Sequence, residues 1–238
     1  MSFQRIKIFL VALLLALPLA AVMEVPLQGW TAQRSWQYVQ FGRYPQDAGG
    51  AVQPIRWRVL DVQDGVAYLL SDQILDVKRI DGDQWNYKGW LHSELHPWLQ
   101  ADFLNEAFTP EEQRALHEDP ELGYISLPSS DDVQNKGYGF LSAKDRYFYG
   151  TPYAFAQGLY SYGRNDSYSP IFTRTPSNRA HAHRSTKIRG GIGFIGVESD
   201  DLGMMPVIWL KTEAVDIISG TGTLGDPLVL AVRTGVAP

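Results

Sequence analysis

Aromatic side chains are concentrated between Tyr138 and Phe172, where they alternate with amides, carboxylates and glycines. Flat rings beside such polar groups suit the faces and hydroxyls of a sugar, and tyrosine combines a large contact area with a polar tip. The pattern predicts a ligand-binding surface, although half of these rings could instead belong to the core. The candidate residues are Tyr147, Tyr149, Tyr160, Tyr162, Asn165, Asp166 and Tyr168.

A basic loop follows directly, because residues 167–197 contain no acidic side chain although the chain as a whole is acidic. Arginine binds carboxylate, sulfate and phosphate groups through paired hydrogen bonds. We therefore expect this loop to meet the tyrosine-rich stretch and to hold anionic groups of the ligand. The alternative is that its arginines pair with the protein's own carboxylates. The candidate residues are Arg174, Asn178, Arg179, Arg184 and Arg189.

Signals for metal binding are weaker. His92 and His96 are four residues apart, and His181 and His183 are two apart, so either pair would need a third converging ligand to bind a transition metal. Calcium is a possible cofactor, because a short acidic loop offers the carboxylate and carbonyl oxygens that this ion prefers. A solvated loop is the alternative. The candidate calcium ligands are Glu198, Asp200 and Asp201.

Composition excludes several classes of function. The 238 residues include no cysteine, which removes thiol catalysis, thiolate metal sites, disulfides and a lipidated N-terminal cysteine. The net charge of -5 argues against general binding of nucleic acid. The chain also lacks a phosphate-binding loop, a dinucleotide fingerprint and a nucleophile elbow, so no organic cofactor is implied. A hydrophobic content of 45% is enough for a full core.

The N-terminus has the three parts of an export signal. Arg5 and Lys7 precede an uncharged apolar run, Ile8 to Leu17, and small residues follow Pro18. Even extended further, this run is shorter than the roughly 20 residues of a membrane-spanning helix. We expect residues 1–21 to be a signal peptide and residues 22–35 a linker, which places the protein in the periplasm or outside the cell. The alternative is an uncleaved anchor, the only membrane attachment expected.

The remaining pattern predicts an α+β protein, with strands first, helices in the middle and short strands last. Alternation from Ile55 to Leu60 and the Asp64-Gly65 turn predict an antiparallel meander. Helical spacing extends from Ser93 to Leu104, and Thr109 begins a second helix with a capping box. Residues 214–238 predict a C-terminal hairpin or tail.

A family resemblance rests on ordered segments that include Phe41–Gln46, Ile55–Asp61, Ser93–Leu99 and Gly203–Leu210. Together they resemble a bacterial family of domains of unknown function related to the formylglycine-generating enzymes. The resemblance implies a C-type-lectin-like fold over residues 36–213, rich in loops, with short antiparallel sheets and a few helices. Ligand binding is implied by analogy only. The oxidative chemistry of those enzymes uses cysteines and does not carry over.

These observations predict an exported, non-catalytic binding domain whose ligand is a glycan, a cell-envelope fragment or another protein. Two alternatives remain open. One is a hydrolase of the envelope that uses a metal or paired carboxylates, and the other is a structural or assembly domain without a small-molecule site.

The leader prediction can be tested by adding one charge to its apolar run. In a bacterial host we expect the native protein in the periplasmic fraction, shortened near Ala21, whereas Leu13→Arg should remain full-length in the cytoplasm. Ser2→Arg, which adds the same charge to the basic segment, should still be exported. Fractionation and intact mass measure both. Native protein recovered at full length in the membrane fraction would support the anchor instead.

Overall fold

The computed structural model of the protein describes residues 27, 36–163, 168–179 and 182–233. The predicted signal peptide lies outside the described residues, as does the linker except for Leu27. The part that is described is α+β, as the sequence predicts, with mostly strands and a few short helices. None of its helices has the length and apolar character needed to cross a membrane.

Fourteen strands are present in the described part of the chain, most of them short. They are β1 (Gln37–Pro45), β2 (Val52–Gln63), β3 (Val66–Ser71), β4 (Asp76–Val77), β5 (Ile125–Ser126), β6 (Phe148–Tyr149), β7 (Tyr168–Ser169), β8 (Phe172–Pro176), β9 (Ala182–Thr186), β10 (Ile192–Gly196), β11 (Gly203–Met204), β12 (Val207–Lys211), β13 (Val215–Ser219) and β14 (Leu228–Val232).

The strands form one large sheet and three small ones. The large sheet has seven strands in the order β13-β14-β1-β2-β3-β12-β5. A three-stranded sheet has the order β10-β9-β8, and β11–β4 and β6–β7 are two-stranded.

Helices are short and fill the connections between strands. The α-helices are α1 (Leu95–Trp98), α2 (Leu104–Ala107), α3 (Pro110–Ala115) and α4 (Pro152–Ala156), and a π-helical turn, Leu99–Phe103, joins α1 to α2. Single 3-10 turns lie at Trp90–His92, Asp132–Gln134, Lys136–Tyr138, Ala143–Arg146, Ile188–Gly190 and Thr212–Ala214.

The predicted opening meander is confirmed, because β1, β2 and β3 pair antiparallel in sequence order. Its second turn consists of Asp64 and Gly65, whose φ angles of 49° and 76° are both positive. Two consecutive positive φ angles are what the favoured two-residue hairpin turn requires. The local sequence therefore determines this hairpin.

The large sheet separates two apolar cores, because successive side chains along each strand point alternately to one core and to the other. Along β3, Ala67 and Leu69 belong to one core, and Leu70 to the other. The same alternation occurs along β12, where Ile208 and Leu210 face the first core. Alternation with a period of two is the strand geometry itself, so each strand serves both faces.

The first core is covered by the helical segment that the sequence predicts from residue 93. Leu95, Leu99 and Phe103 are buried at helical spacing, and Pro97 lies in the first turn, where the missing N–H is tolerated. The segment extends to Ala107, three residues beyond the prediction. The capping box of Thr109 and Glu112 is also confirmed.

The C-terminal strands complete the other end of the large sheet. Residues of β13 and β14 pair antiparallel, as predicted, and β14 pairs in parallel with β1. The hairpin therefore belongs to the same sheet as the meander.

A buried ion-pair network ties β2 to the end of β3. The carboxylate of Asp72 accepts hydrogen bonds from Arg56 Nε at 2.8 Å and Arg58 Nε at 2.7 Å. Arg58 and Asp72 are both almost inaccessible to solvent, and the Trp36 ring covers the Arg58 guanidinium at 4.5 Å. A charge held in such a place needs its partner, because solvent cannot replace it.

Removing the charge of Asp72 should be costly for that reason. We expect Asp72→Asn to lower the free energy of unfolding by about 3 kcal/mol, since the buried Arg58 guanidinium then lacks a counter-charge. Urea unfolding followed by tryptophan fluorescence measures the loss. Glu111→Gln, which removes an exposed partner of Arg114 in the first turn of α3, serves as the control and should shift the midpoint far less. Equal midpoints for the two variants would contradict the assigned role of Asp72.

Candidate functional site

A cavity of about 330 Å³ opens on the face of the large sheet that carries the second core. Its lining combines aromatic rings, carboxylates, an amide and a guanidinium, which is the mixture that small polar ligands require. The residues lining it are Asp61, Gln63, Val66, Tyr68, Asp119, Leu122, Asp132, Tyr138, Arg174 and Trp209.

Strand register places three of these residues in one row. Asp61 of β2 is paired with Tyr68 of β3, and Tyr68 is paired with Trp209 of β12. The pairing of β2 with β3 shifts between Val59 and Asp61, which marks a β-bulge. Without the bulge, Asp61 would share the face of Val59, which belongs to the first core. The bulge therefore directs the Asp61 carboxylate towards the cavity.

Two rings form the aromatic wall. Tyr68 and Trp209 stack with centroids 5.4 Å apart and planes 21° from parallel, and Tyr138 meets Tyr68 edge-on at 5.9 Å. Burial raises the pKa of the Tyr68 phenol well above its ordinary value, and the neighbouring Asp132 carboxylate raises it further. Tyr68 is therefore a neutral hydrogen-bond donor at physiological pH.

Asp132 joins three parts of the molecule at the cavity. Its Oδ2 accepts hydrogen bonds from Tyr68 Oη at 2.9 Å, from Arg174 Nη1 at 3.1 Å and from the backbone N–H of Ser129 at 2.6 Å. Tyr68 belongs to the large sheet and Arg174 to β8 of the three-stranded sheet. One carboxylate oxygen thus connects both sheets to the loop that carries it.

Arg174, a predicted ligand residue, lines the cavity with its charge already paired. Besides Asp132, its Nη1 donates to the carbonyl oxygen of Leu127 at 2.6 Å. For this one arginine the alternative expected from the sequence, pairing with an internal carboxylate, is correct. β8 carries Arg174 to the cavity beside Asp132, and of the tyrosine-rich stretch only Tyr138 is among the residues that line this cavity.

The tyrosine-rich stretch does gather several of its rings. Tyr147 and Tyr168 stack face to face, with centroids 4.2 Å apart and an interplanar angle of 7°. Tyr162 contacts Tyr168 at 5.6 Å and Tyr160 at 5.3 Å. Tyr149 is exposed on β6 and is paired with Tyr168 in register. We call Tyr147, Tyr149, Tyr160, Tyr162 and Tyr168 the tyrosine surface; Asn165 and Asp166 lie outside the described residues.

The basic loop meets this surface at its start, through Tyr168 itself, and near its end, through a hydrogen bond from Arg189. The backbone N–H of Arg189 donates to Tyr168 Oη at 2.9 Å.

Arg146 Nε donates to the carbonyl oxygen of Gly190 at 2.6 Å, and a side chain at Gly190 would collide with the carbonyl of Ala143. This close approach, together with the positive φ of 66°, requires glycine.

The other predicted residues of the basic loop lie on and beside the three-stranded sheet. Asn178 and Arg179 are exposed between β8 and β9, and the Arg179 guanidinium lies 4.0 Å from the centre of the Phe194 ring. Arg184 of β9 is paired in register with Phe194. In the described part of the chain, Arg179, Arg184 and Arg189 form no ion pair with a carboxylate. Of these three arginines, Arg189 forms the hydrogen bond to a tyrosine that the described residues contain, through its backbone N–H.

Metal ligands do not converge among the described residues, where no three acidic or histidine side chains could hold an ion. Glu198, Asp200 and Asp201 lie in one loop, and Asp201 accepts a hydrogen bond from the Ser199 hydroxyl at 2.7 Å. His183 is buried and bonded to Tyr87 and to the carbonyl of Thr173, so it is a core residue. His181 lies outside the described residues.

Comparisons with known proteins return no match: no family model, no curated protein and no solved structure matches the chain.

The role of Asp132 in building the cavity can be tested by stability. Asp132→Ala leaves three hydrogen-bond donors without their shared acceptor, so we expect a loss of about 3 kcal/mol in the free energy of unfolding. Tyr68→Phe removes one donor and keeps the ring, so we expect about 1 kcal/mol. Chemical unfolding of both variants gives the comparison. If Asp132→Ala cost no more than Tyr68→Phe, the carboxylate would not be the junction described.

Proposed function

We propose that the protein is an exported, non-catalytic binding domain for a glycan or a glycan-bearing fragment of the cell envelope, with the cavity as its binding site. The observation that carries the proposal is the stacked Tyr68–Trp209 pair beside the carboxylates of the same cavity. The export signal and the lectin-like fold are parts of the same proposal. They rest on the leader and on the family resemblance.

The chemistry of sugars supports this choice of ligand. A sugar ring has one apolar face that packs against an aromatic ring and a rim of hydroxyls that need acceptors and donors. Trp209 and Tyr68 offer the ring surface, whereas Asp61 and the Gln63 amide offer hydrogen-bonding groups on the neighbouring strand. A volume near the lower end of the usual range for ligand cavities suits one or two sugar rings.

Catalysis is a second candidate because three carboxylates, Asp61, Asp119 and Asp132, line one cavity. A glycoside hydrolase needs two carboxyl groups on either side of the bond that it breaks. However, Oδ2 of Asp132 is occupied by three donors, and Oδ1 of Asp119 accepts two backbone N–H groups of its own turn. We therefore favour binding. New reducing ends released from envelope polysaccharides by the native protein, and lost in Asp61→Asn, would favour the hydrolase.

The tyrosine surface adds a second face to the proposal. Its stacked rings offer a second sugar-binding face, and Arg189 lies beside it. Because tyrosine contact area is large and loses little side-chain entropy, even a shallow surface of this kind adds affinity.

Binding at the cavity should depend on the Trp209 ring. For an oligosaccharide selected on a glycan array, we expect Trp209→Leu to weaken binding at least tenfold, since the ring supplies the stacking face, and Trp209→Phe to weaken it less. Calorimetric titration gives the dissociation constants. Trp85→Ala removes a ring that is 78% exposed and does not line the cavity, so it is the control. Unchanged affinity in Trp209→Leu would place the glycan elsewhere.

A further inference from the structure

We infer that the saccharide bound in the cavity is an amino sugar whose amine is free and protonated. The inference rests on the proposed function, because it assigns a chemical class to the ligand of the same site. It follows from the balance of charge among the lining residues and from the rings that stand beside them.

The cavity carries more negative than positive charge. Three carboxylates line it, Asp61, Asp119 and Asp132, against the single guanidinium of Arg174. Arg174 and Asp132 neutralise one another, since Nη1 of the arginine lies 3.1 Å from the carboxylate. In the described part of the chain, Asp61 and Asp119 form no ion pair with a lysine, arginine or histidine. Asp61 and Asp119, both half-buried, thus give the cavity an excess of negative charge that suits a cationic ligand.

Each of these two carboxylates is held in place and still has an oxygen or a lone pair to offer. Asp61 Oδ1 accepts from the backbone N–H of Val62 at 2.9 Å, and its Oδ2 accepts from Gln63 Nε2 at 2.8 Å. Asp119 Oδ1 accepts from the N–H groups of Glu121 and Leu122, and its turn is closed by two backbone bonds to Gly123. A carboxylate has about four acceptor positions, so both can bind an ammonium group as well. Prior fixation lowers the entropic cost of doing so.

The aromatic wall also favours a cation. An ammonium group is attracted to the faces of tyrosine and tryptophan rings, most strongly where water is excluded. The carboxylates also act on Tyr138, which meets the wall edge-on: burial raises the pKa of its phenol, the Asp132 and Asp61 carboxylates raise it further, and Arg174 lowers it less. An anionic ligand would meet two uncompensated carboxylates without a free cation to hold it.

A metal ion is a poorer match for this charge than an organic cation. Among the described residues no three acidic or histidine groups come close enough to hold a metal. An amino sugar satisfies every part of the lining at once: its ring packs on Trp209, its hydroxyls meet Gln63, and its ammonium meets Asp61 or Asp119. The ammonium of a lysine side chain would satisfy the charge but would leave the stacking face of Trp209 to a flexible chain.

The test compares three tetrasaccharides that differ in one group: a β-1,4-glucosamine oligomer, its fully N-acetylated form and the glucose oligomer. Calorimetric titration of the full chain gives three dissociation constants. We expect the glucosamine oligomer to bind at least tenfold more tightly than either of the others, and a rise in salt concentration to reduce this preference. Asp61→Asn and Asp119→Asn keep an amide oxygen as acceptor but remove the charge, so each should reduce the preference to about threefold or less.

Controls separate the possible outcomes. Asp200→Asn removes an exposed carboxylate outside the cavity and should leave the preference unchanged. Equal binding of all three oligomers, abolished by Trp209→Leu, would overturn the amino-sugar inference and leave the proposed function intact. Binding of a lysine-containing peptide in place of every oligomer, with the same dependence on Trp209, would overturn the inference and the glycan proposal together.

Discussion

The junction at Asp132 is the interaction on which the arrangement of the cavity depends. Two sheets that share no strand pairing with each other approach there, and one carboxylate oxygen receives a donor from each. Polar contacts of this kind, made in a partly buried place, set the position of the loop between the two sheets. The loop that carries Asp132 is itself closed locally, because Ser129 Oγ accepts from the backbone N–H of Asp132 while Oδ2 accepts from the N–H of Ser129. This reciprocal pair of hydrogen bonds holds the carboxylate without a contact from either sheet.

The second determinant is the bulge in β2. A strand with strict alternation can present either Leu60 or Asp61 to the face of the second core, and this strand presents both. Leu60 contributes to the core, and Asp61 to the cavity next to it. The bulge thus places a charge at the boundary of an apolar cluster without exposing the cluster, which is a common use of bulges near binding sites.

Local features could be predicted from the sequence, whereas the cavity could not. The Asp64-Gly65 turn, the Thr109 capping box and the helical spacing from Leu95 each depend on a few neighbouring residues, and the structure contains all three. The cavity unites Asp61 with Trp209, which are far apart in sequence and meet because β12 is inserted beside β3. The available signals were small: polar Asp61 and Gln63 at alternate positions at the end of β2, and a tryptophan in β12.

The basic loop is a second feature whose arrangement could not be predicted from the sequence alone. The absence of acidic residues within residues 167–197 is a fact about the sequence, but whether each arginine is paired depends on strands that come from elsewhere. β8 delivers Arg174 to an aspartate of a distant loop, β9 places Arg184 opposite Phe194, and the turn after Lys187 brings the backbone of Arg189 to Tyr168. One charge pattern is therefore divided among three environments, because consecutive short strands change direction every five residues or so.

At the cavity, the side chains that hold the fold together lie next to those that we assign to ligand binding. Substitutions can therefore alter the site without disturbing the fold at some positions only. Asp132 and Tyr68 hold the two sheets together, so any change there alters the site and the fold at once. Asp61 and Trp209 lie on either side of Tyr68 in the same row, and Trp209, like Tyr68, is partly buried against the second core. A ligand in the proposed site would contact Asp61 and Trp209, whereas Asp132 and Tyr68 would keep the site rigid. In the site that we propose, the charges of Asp61 and Asp119 select the ligand, while Asp132 holds the shape of the cavity.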